Sequence, residues 1–333
     1  MLLFIINLEE IKIMAVGDIM LGSPYPNASR MPPNDGKDLL KPAYSIFSKG
    51  DIVFGNLEGP FYDSGSSVKC SDESARALRC FAFRMPSRYA IYLKEAGFNI
   101  LSLANNHIMD FGMEGVRHTQ RLLDSLGINY CGIGKEMKVM KVKDLKIGFL
   151  CFNHNPISLN INDIEGARKV VRENRDKVDI LIVSFHGGAE GSSRQRVPYE
   201  TEYFYGEKRG NLRVFSRAVI DEGADLVIGH GPHVLRGMEI YKDRLIAYSL
   251  GNFLTYGWFN LSGPQSITAI LEVKVDKHGK FLEGKIYPFK LEGLGILKED
   301  NTNSAIKIIK QLSELDFKDT YPNIFEDGTI KPR

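Results

Sequence analysis

No run of about 20 apolar residues occurs, so nothing here reads as a membrane-spanning helix. Cysteine is scarce: four in 333 residues exclude a disulfide-built scaffold, and no Cys-x-x-Cys pair marks a structural zinc site. Neither charge sign dominates, since 43 Lys+Arg against 41 Asp+Glu leaves +2. That balance excludes a global field recruiting nucleic acid or an anionic membrane. No internal repeat is visible. The segment Met1–Asn7 is apolar for only six residues, without a basic start or a small-residue cleavage site, and does not read as an intact signal peptide.

Glycine, by contrast, is abundant at 32 residues, and it punctuates a recurring pattern of short apolar run, turn and helical stretch. Five runs read as strands covered on both faces: Ile11–Val16, Asp51–Phe54, Asn99–Leu103, Asp179–Val183 and Asp225–Ile228. Helices are expected over Gly115–Leu126, Gly166–Val178, Leu212–Glu222 and Ser304–Leu315. Three hairpins are expected, turning at Lys143–Leu145, Lys242–Arg244 and Asp276–Gly279. Strand–helix alternation with added hairpins suggests an α/β layered sandwich rather than a pure doubly wound sheet. The expected division is one domain over residues 1–295 and a helical tail over 296–333.

Each of the five strands ends in chemistry: Asp18; Asn56 with Glu58; Asn105, Asn106 and His107; His186; His230 with His233. Carboxyl ends of strands in α/β sheets line one edge, where sites assemble. Mixed oxygen and nitrogen donors suit Mn, Fe, Zn or a pair of divalent ions. Singly, each is a turn or cap residue; together they point to a centre.

Gly17–Gly22, Gly55–Glu58, Ala104–Gly112, Phe185–Gly188, Gly229–Val234 and Tyr248–Phe253 resemble, in order, the motifs of the bacterial poly-γ-glutamate capsule-synthesis (CapA-type) family. That family is similar to calcineurin-like metallophosphoesterases. The resemblance implies a metallophosphoesterase-like sandwich binding one or two divalent ions, Mn, Fe, Zn or Mg. It implies Asp18, Asn106, His186 and His233 as ligands, with Asn56 or Glu58 at the bridging position and His230 beside the fifth motif. His107 would protonate a leaving group and Asp110 would fix its tautomer. Three positions depart from the metallophosphoesterase pattern: Met20, Asn56 and Gly231 stand where ligands are usual.

The function implied is a metal-dependent hydrolase or transferase acting at a phosphoryl or acyl/amide centre of an anionic polymer or phosphate-type substrate. The alternatives are a non-catalytic envelope accessory protein and a generic phosphodiesterase. The family's usual place is the cell envelope. Cys70 and Cys80 either close a small ring or stay free, while Cys131 and Cys151 read as buried. Lys69, Arg84, Arg194, Arg196 and Arg209 either hold an anionic substrate or are solvated. Glu190 faces the site or solvent, His154 approaches the site or packs nearby, and Trp258 with Phe259 floors a groove or fills the core.

Overall fold

The computed structural model describes residues 10–333, so the reading of Met1–Asn7 lies outside the described residues. The chain begins with β1 (Ile11–Met20), α1 (Tyr44–Phe47), β2 (Ile52–Leu57), α2 (Asp72–Arg76), α3 (Ala90–Ala96), β3 (Ile100–Ser102), α4 (Gly112–Leu126) and β4 (Asn129–Cys131). It continues with β5 (Lys138–Val142), β6 (Leu145–Asn153), β7 (Leu159–Asn160), α5 (Ile164–Arg175), β8 (Ile180–His186), β9 (Glu202–Phe204), β10 (Glu207–Gly210), α6 (Leu212–Asp221) and β11 (Leu226–His230). The rest is β12 (Met238–Tyr241), β13 (Arg244–Ala247), β14 (Asn252–Thr255), β15 (Ile267–Val275), β16 (Phe281–Glu292), β17 (Ile296–Glu299), α7 (Ser304–Asp316), β18 (Asn323–Ile324) and β19 (Thr329–Lys331).

Two sheets form a sandwich. The first runs β18-β19-β16-β15-β1-β2-β3-β4, with β14 also beside β1 and β17 beside β16. The second runs β12-β13-β11-β8-β6-β5, with β7 beside β6. One core cluster lies between them, joining Ile13, Phe54 and Ile100 of the first sheet to Phe149, Ile182 and Ile228 of the second. Two further cores cover the outer faces, one with Leu93 and Leu123 of α3 and α4, the other with Val171 and Phe215 of α5 and α6. Helix, sheet, sheet, helix is the layered α/β sandwich the sequence implies. β8 is buried at every residue because both its faces are covered, whereas the edge strand β5 alternates.

Local signals explain the boundaries. Asp163 caps α5 by accepting from the Gly166 N–H, so that helix starts at Ile164 and ends at Arg175, two residues earlier at its start and three earlier at its end than the apolar pattern suggests. Asn211 caps α6 in the same way. Gly127 ends α4 at φ 64, a conformation glycine adopts freely. The segment from residue 296 contributes α7 and three short strands that extend the first sheet. No helix among the described residues is long and apolar enough to cross a bilayer.

The strands also run further than their apolar cores. His186 and His230 are the last residues of their strands, and Asp18 and Asn56 also lie inside strands, near their ends, rather than in the turns after them. β1 changes neighbours along its length: Ile11–Ala15 pair with β15, then Asp18–Met20 pair with β14. Register shifts on both sides at this point re-aim Asp18. A glycine must precede it, because a Cβ on Gly17 would lie 1.9 Å from the Gly251 carbonyl oxygen.

Candidate metal centre

Strand register delivers the first half of the site. Asp18 pairs with Asn56 across β1 and β2, so both side chains leave the same face. Glu58 follows directly after β2. The second half comes from the other sheet, where His230 and His186 are register partners on β11 and β8. The two halves meet at the seam between the sheets. Asp18, Glu58 and His186 each place a ligand atom within 4.8 Å of the others. An ion bonded at about 2–2.6 Å spans that spacing. His233, in the loop after β11, puts Nδ1 2.8 Å from Asp18 Oδ2, and His230 Nδ1 lies 3.7 Å from Asp18 Oδ1. His233 does so at φ 57, a left-handed conformation that a non-glycine residue holds only when its surroundings fix it.

Of the two residues the resemblance offers for the bridging position, Asn56 or Glu58, Asn56 takes part in a chain of hydrogen bonds. Asn105 Oδ1 accepts from the backbone N–H groups of His107 and Ile108, which fixes its amide orientation. Its Nδ2 therefore donates to Asn56 Oδ1 at 3.1 Å. That in turn points the Asn56 NH₂ at the carboxylates, 2.8 Å from Asp18 Oδ1 and 2.5 Å from Glu58 Oε2. Asn56 is thus a donor tying two carboxylates together. Asn105, named at the third strand end but given no role there, sets its direction. Asn106 lies in the wall of a cavity beside the cluster, its Oδ1 buried and without a hydrogen-bond partner.

The two other departures have plain physical causes. Gly231 sits at φ 114, and a Cβ there would come 2.6 Å from the Gly187 carbonyl, so no histidine fits. The displaced His230 instead reaches the cluster from the strand itself. Met20 is fully buried in the outer core of the first sheet.

Burial, then the charge of Asp18, push the Glu58 carboxyl well above its ordinary value. Burial, then neighbouring His154 and His233, push His186 well below its own. Burial takes His230 down to about 4, against the pull of Asp18. Only His233 goes the other way: burial opposes its charge, but the Asp18 hydrogen bond and the nearby carboxylates outweigh it and raise it to about 9. Asp18 and Glu58 are both 0% exposed, and His233 is the one histidine beside them whose charged form is favoured. Glu58 Oε1, His186 Nε2 and both nitrogens of His230 are buried without partners. Burial of Glu58 beside Asp18 disfavours its ionised form as long as no further cation is present, and these orphaned donor atoms are of the kinds that divalent transition metals take.

His107 stands beside the cluster. Its Nδ1 is 2.7 Å from Asp110 Oδ2, and the Phe83 N–H donates to the same oxygen. Lys69 Nζ is 3.2 Å from His107 Nδ1 and 3.4 Å from Asp110 Oδ1. Burial lowers His107 below its ordinary value, with Asp110 pulling against it. Two adjoining cavities, of about 450 and 350 Å³, share His107, Glu190, Phe81, Phe204 and Tyr205 in their walls. Glu190 faces the site, 3.8 Å from His233 Nε2, and pairs with buried Arg209. His154 is buried beside His186, its ring centroid 6.3 Å away. Of the other cations, Arg196 instead binds Asp316, in the wall of a separate cavity of about 640 Å³ that holds none of the candidate ligands.

All four cysteines are paired. Cys70–Cys80 closes a small ring that begins directly after Lys69. Cys131–Cys151 ties β4 of the first sheet to β6 of the second, a pairing that two buried strand residues in sequence do not reveal.

Residues 12–256 match the family described as Bacterial capsule synthesis protein PGA_cap. The chain belongs to this family. It is 27% identical over 282 residues to the capsule biosynthesis protein CapA of Bacillus anthracis, covering 75% of this chain and 61% of that protein. It is 28% identical over 261 residues to the PGA biosynthesis protein CapA of Bacillus subtilis strain 168, covering 73% and 63%. The chain thus spans about three fifths of the length of these relatives. Among solved structures, NAD nucleotidase of Haemophilus influenzae aligns with a TM-score of 0.43 at 13% identity, covering 92% of this chain and 56% of that one.

Proposed function

We propose that this PGA_cap-family chain is a metal-dependent hydrolase or transferase acting at a phosphoryl or acyl/amide centre of an anionic substrate. One observation carries the reading: two fully buried carboxylates, Asp18 and Glu58, share a seam with His186 and have too little positive charge around them. Asp18, Glu58 and His186 would hold the ion, with His230 and His233 completing the donors around Asp18. A divalent ion held there supplies a Lewis acid that polarises a phosphoryl or carbonyl oxygen and makes water a nucleophile at neutral pH.

The remaining chemistry belongs to the chain. His107 donates Nδ1–H to Asp110, which fixes its tautomer and leaves Nε2 for the substrate. It exchanges a proton with the leaving group at that atom. Lys69 and Arg79, in the wall of the larger cavity, attract and orient the anion. Both disulfides fit an oxidising compartment such as the cell envelope. Handling of poly-γ-glutamate is part of this proposal and rests on the family.

The test is turnover on a panel of phosphomonoesters, phosphodiesters and γ-glutamyl amides, with Mn, Fe, Zn or Mg supplied. Turnover with at least one metal, abolished by a chelator, is the expected result. No turnover of any kind favours the accessory-protein reading, to which Met20 and Gly231 already lend two missing ligands.

A further inference from the structure

Among the described residues three arginines are buried: Arg209, Arg213 and Arg236. Two of them hold carboxylates. Arg209 pairs with Glu190 and Glu207, and Arg236 grips Glu202 through both terminal nitrogens. Arg213 differs. Its Nη1 and Nη2 donate to the backbone carbonyls of Asp316 and Val197, and its Nε, also buried, has no partner. Its guanidinium packs against two rings, 4.2 Å from the centroid of Tyr199 and 4.5 Å from that of Phe317. Ring faces and carbonyls lower the cost of burying the cation but do not neutralise it. A permanently charged planar fork with an idle buried N–H suits a planar anion.

Arg213 lines the separate cavity of about 640 Å³. The wall also carries Arg217 and Lys318, and the acids Glu200, Asp316 and Asp319. Arg217 is engaged by buried Glu239, and Asp316 by Arg196 and the Val197 N–H. Three acids in the wall repel a doubly charged phosphate more than a singly charged carboxylate. Residues 189–200 join this cavity to the metal centre. Glu190, 3.8 Å from His233, stands at one end, and Arg196 is in the cavity wall. A smaller cavity of about 280 Å³ shares Arg196, Pro198 and Glu200 with the large one and reaches Ala189, next to Glu190.

We propose that this cavity is a second anion site, in which Arg213 takes a carboxylate of the substrate remote from the reacting centre. A chain with a carboxylate in every residue, such as a polyglutamate, supplies one part to the centre and another to Arg213. The anion site itself needs no metal. Its assignment to the same substrate rests on the function proposed above, and narrows that substrate to a polymer of carboxylates over a small phosphate ester.

Calorimetry on the chelated full chain tests the site apart from the metal. Glutarate should bind, and its neutral diamide should not. Per carboxylate, long poly-γ-glutamate should bind about tenfold tighter than glutarate, because its groups are linked. Arg213→Lys keeps the charge but loses the fork, and should weaken glutarate about tenfold. Arg213 also holds two backbone segments, so a second variant is placed at exposed Lys318 in the same wall. Lys318→Glu should keep the wild-type thermal midpoint and still weaken both ligands.

Glutarate bound equally well by both variants places it elsewhere and overturns the site. No carboxylate binding by the folded wild type overturns it too, and leaves the metal reading standing. Inorganic phosphate binding more tightly than glutarate overturns the carboxylate assignment, and equal affinity per carboxylate for glutarate and the polymer overturns the polymer assignment. Arg213-dependent binding in a chain that takes up no metal supports the site while overturning the metal reading alone.

Discussion

The two sheets bring opposite chemistry to their shared seam. The first contributes oxygen: Asp18 near the end of β1 and Glu58 just past β2, tied by the amide of Asn56. The second contributes imidazole: His186 at the end of β8, His230 at the end of β11, and His233 in the loop beyond. Neither set makes a site by itself. The carboxylates alone repel, and the buried imidazoles of His186 and His230 are held neutral by their burial. A cation at the seam satisfies both halves at once, and the sandwich, rather than any one sheet, is therefore the functional unit.

Removing the oxygen half has the largest expected effect. Asp18→Ala takes away the carboxylate that His233, His230 and Asn56 all approach. Bound metal by elemental analysis and turnover should be lost together. Loss of turnover with full metal content would detach Asp18 from the centre.

His107→Ala tests a residue next to the seam rather than in it. Metal content should stay at the wild-type level while turnover falls about 10²–10⁴-fold, the range for general acid–base help. Full activity on every substrate the wild type accepts would make His107 structural.

The seam itself is stapled by Cys131–Cys151, whereas Cys70–Cys80 lies in one loop. Cys131→Ser opens a ring of 20 residues and should cost about 3 kcal/mol in denaturant unfolding. Cys70→Ser, with a separation of 10, should cost less globally but loosen Lys69 and Phe81 at the mouth. Equal destabilisation by the two would show that the staple between sheets has no special weight.

The smallest expected effect is on pH dependence without metal. His233 is raised to about 9 from an ordinary 6.5 by Asp18 and the other carboxylates, working against burial. Its charged form is thus favoured by folding, and that stabilisation is complete below about 6.5 and lost as pH rises through about 9. The thermal midpoint of chelated protein should fall across that window. A flat profile there would remove the His233–Asp18 ion pair from the account.

The strand ends were readable because apolar runs stop at polar, glycine-rich turns, and the five runs all became strands. Which sheet each strand joins was not readable, since pairing is decided by partners far apart in the chain. The same limit hid Cys131–Cys151. At the site, residue types were legible but side-chain directions were not. Asn105 and Asn106 are adjacent and chemically identical, and only the hydrogen bonds of Asn105 to the His107 turn show which one touches Asn56. The placement of Tyr205 left a faint signal, a Tyr-Gly pair where a hairpin tip favours Asn-Gly.

The most direct measurement is anomalous diffraction from crystals grown with Mn or Zn. The account predicts an ion at the seam, bonded to Asp18, Glu58 and His186, with Asn56 donating to the carboxylates rather than bonding the ion. A seam that stays empty at saturating metal, with Asp18 and His233 still joined as an ion pair, would contradict it.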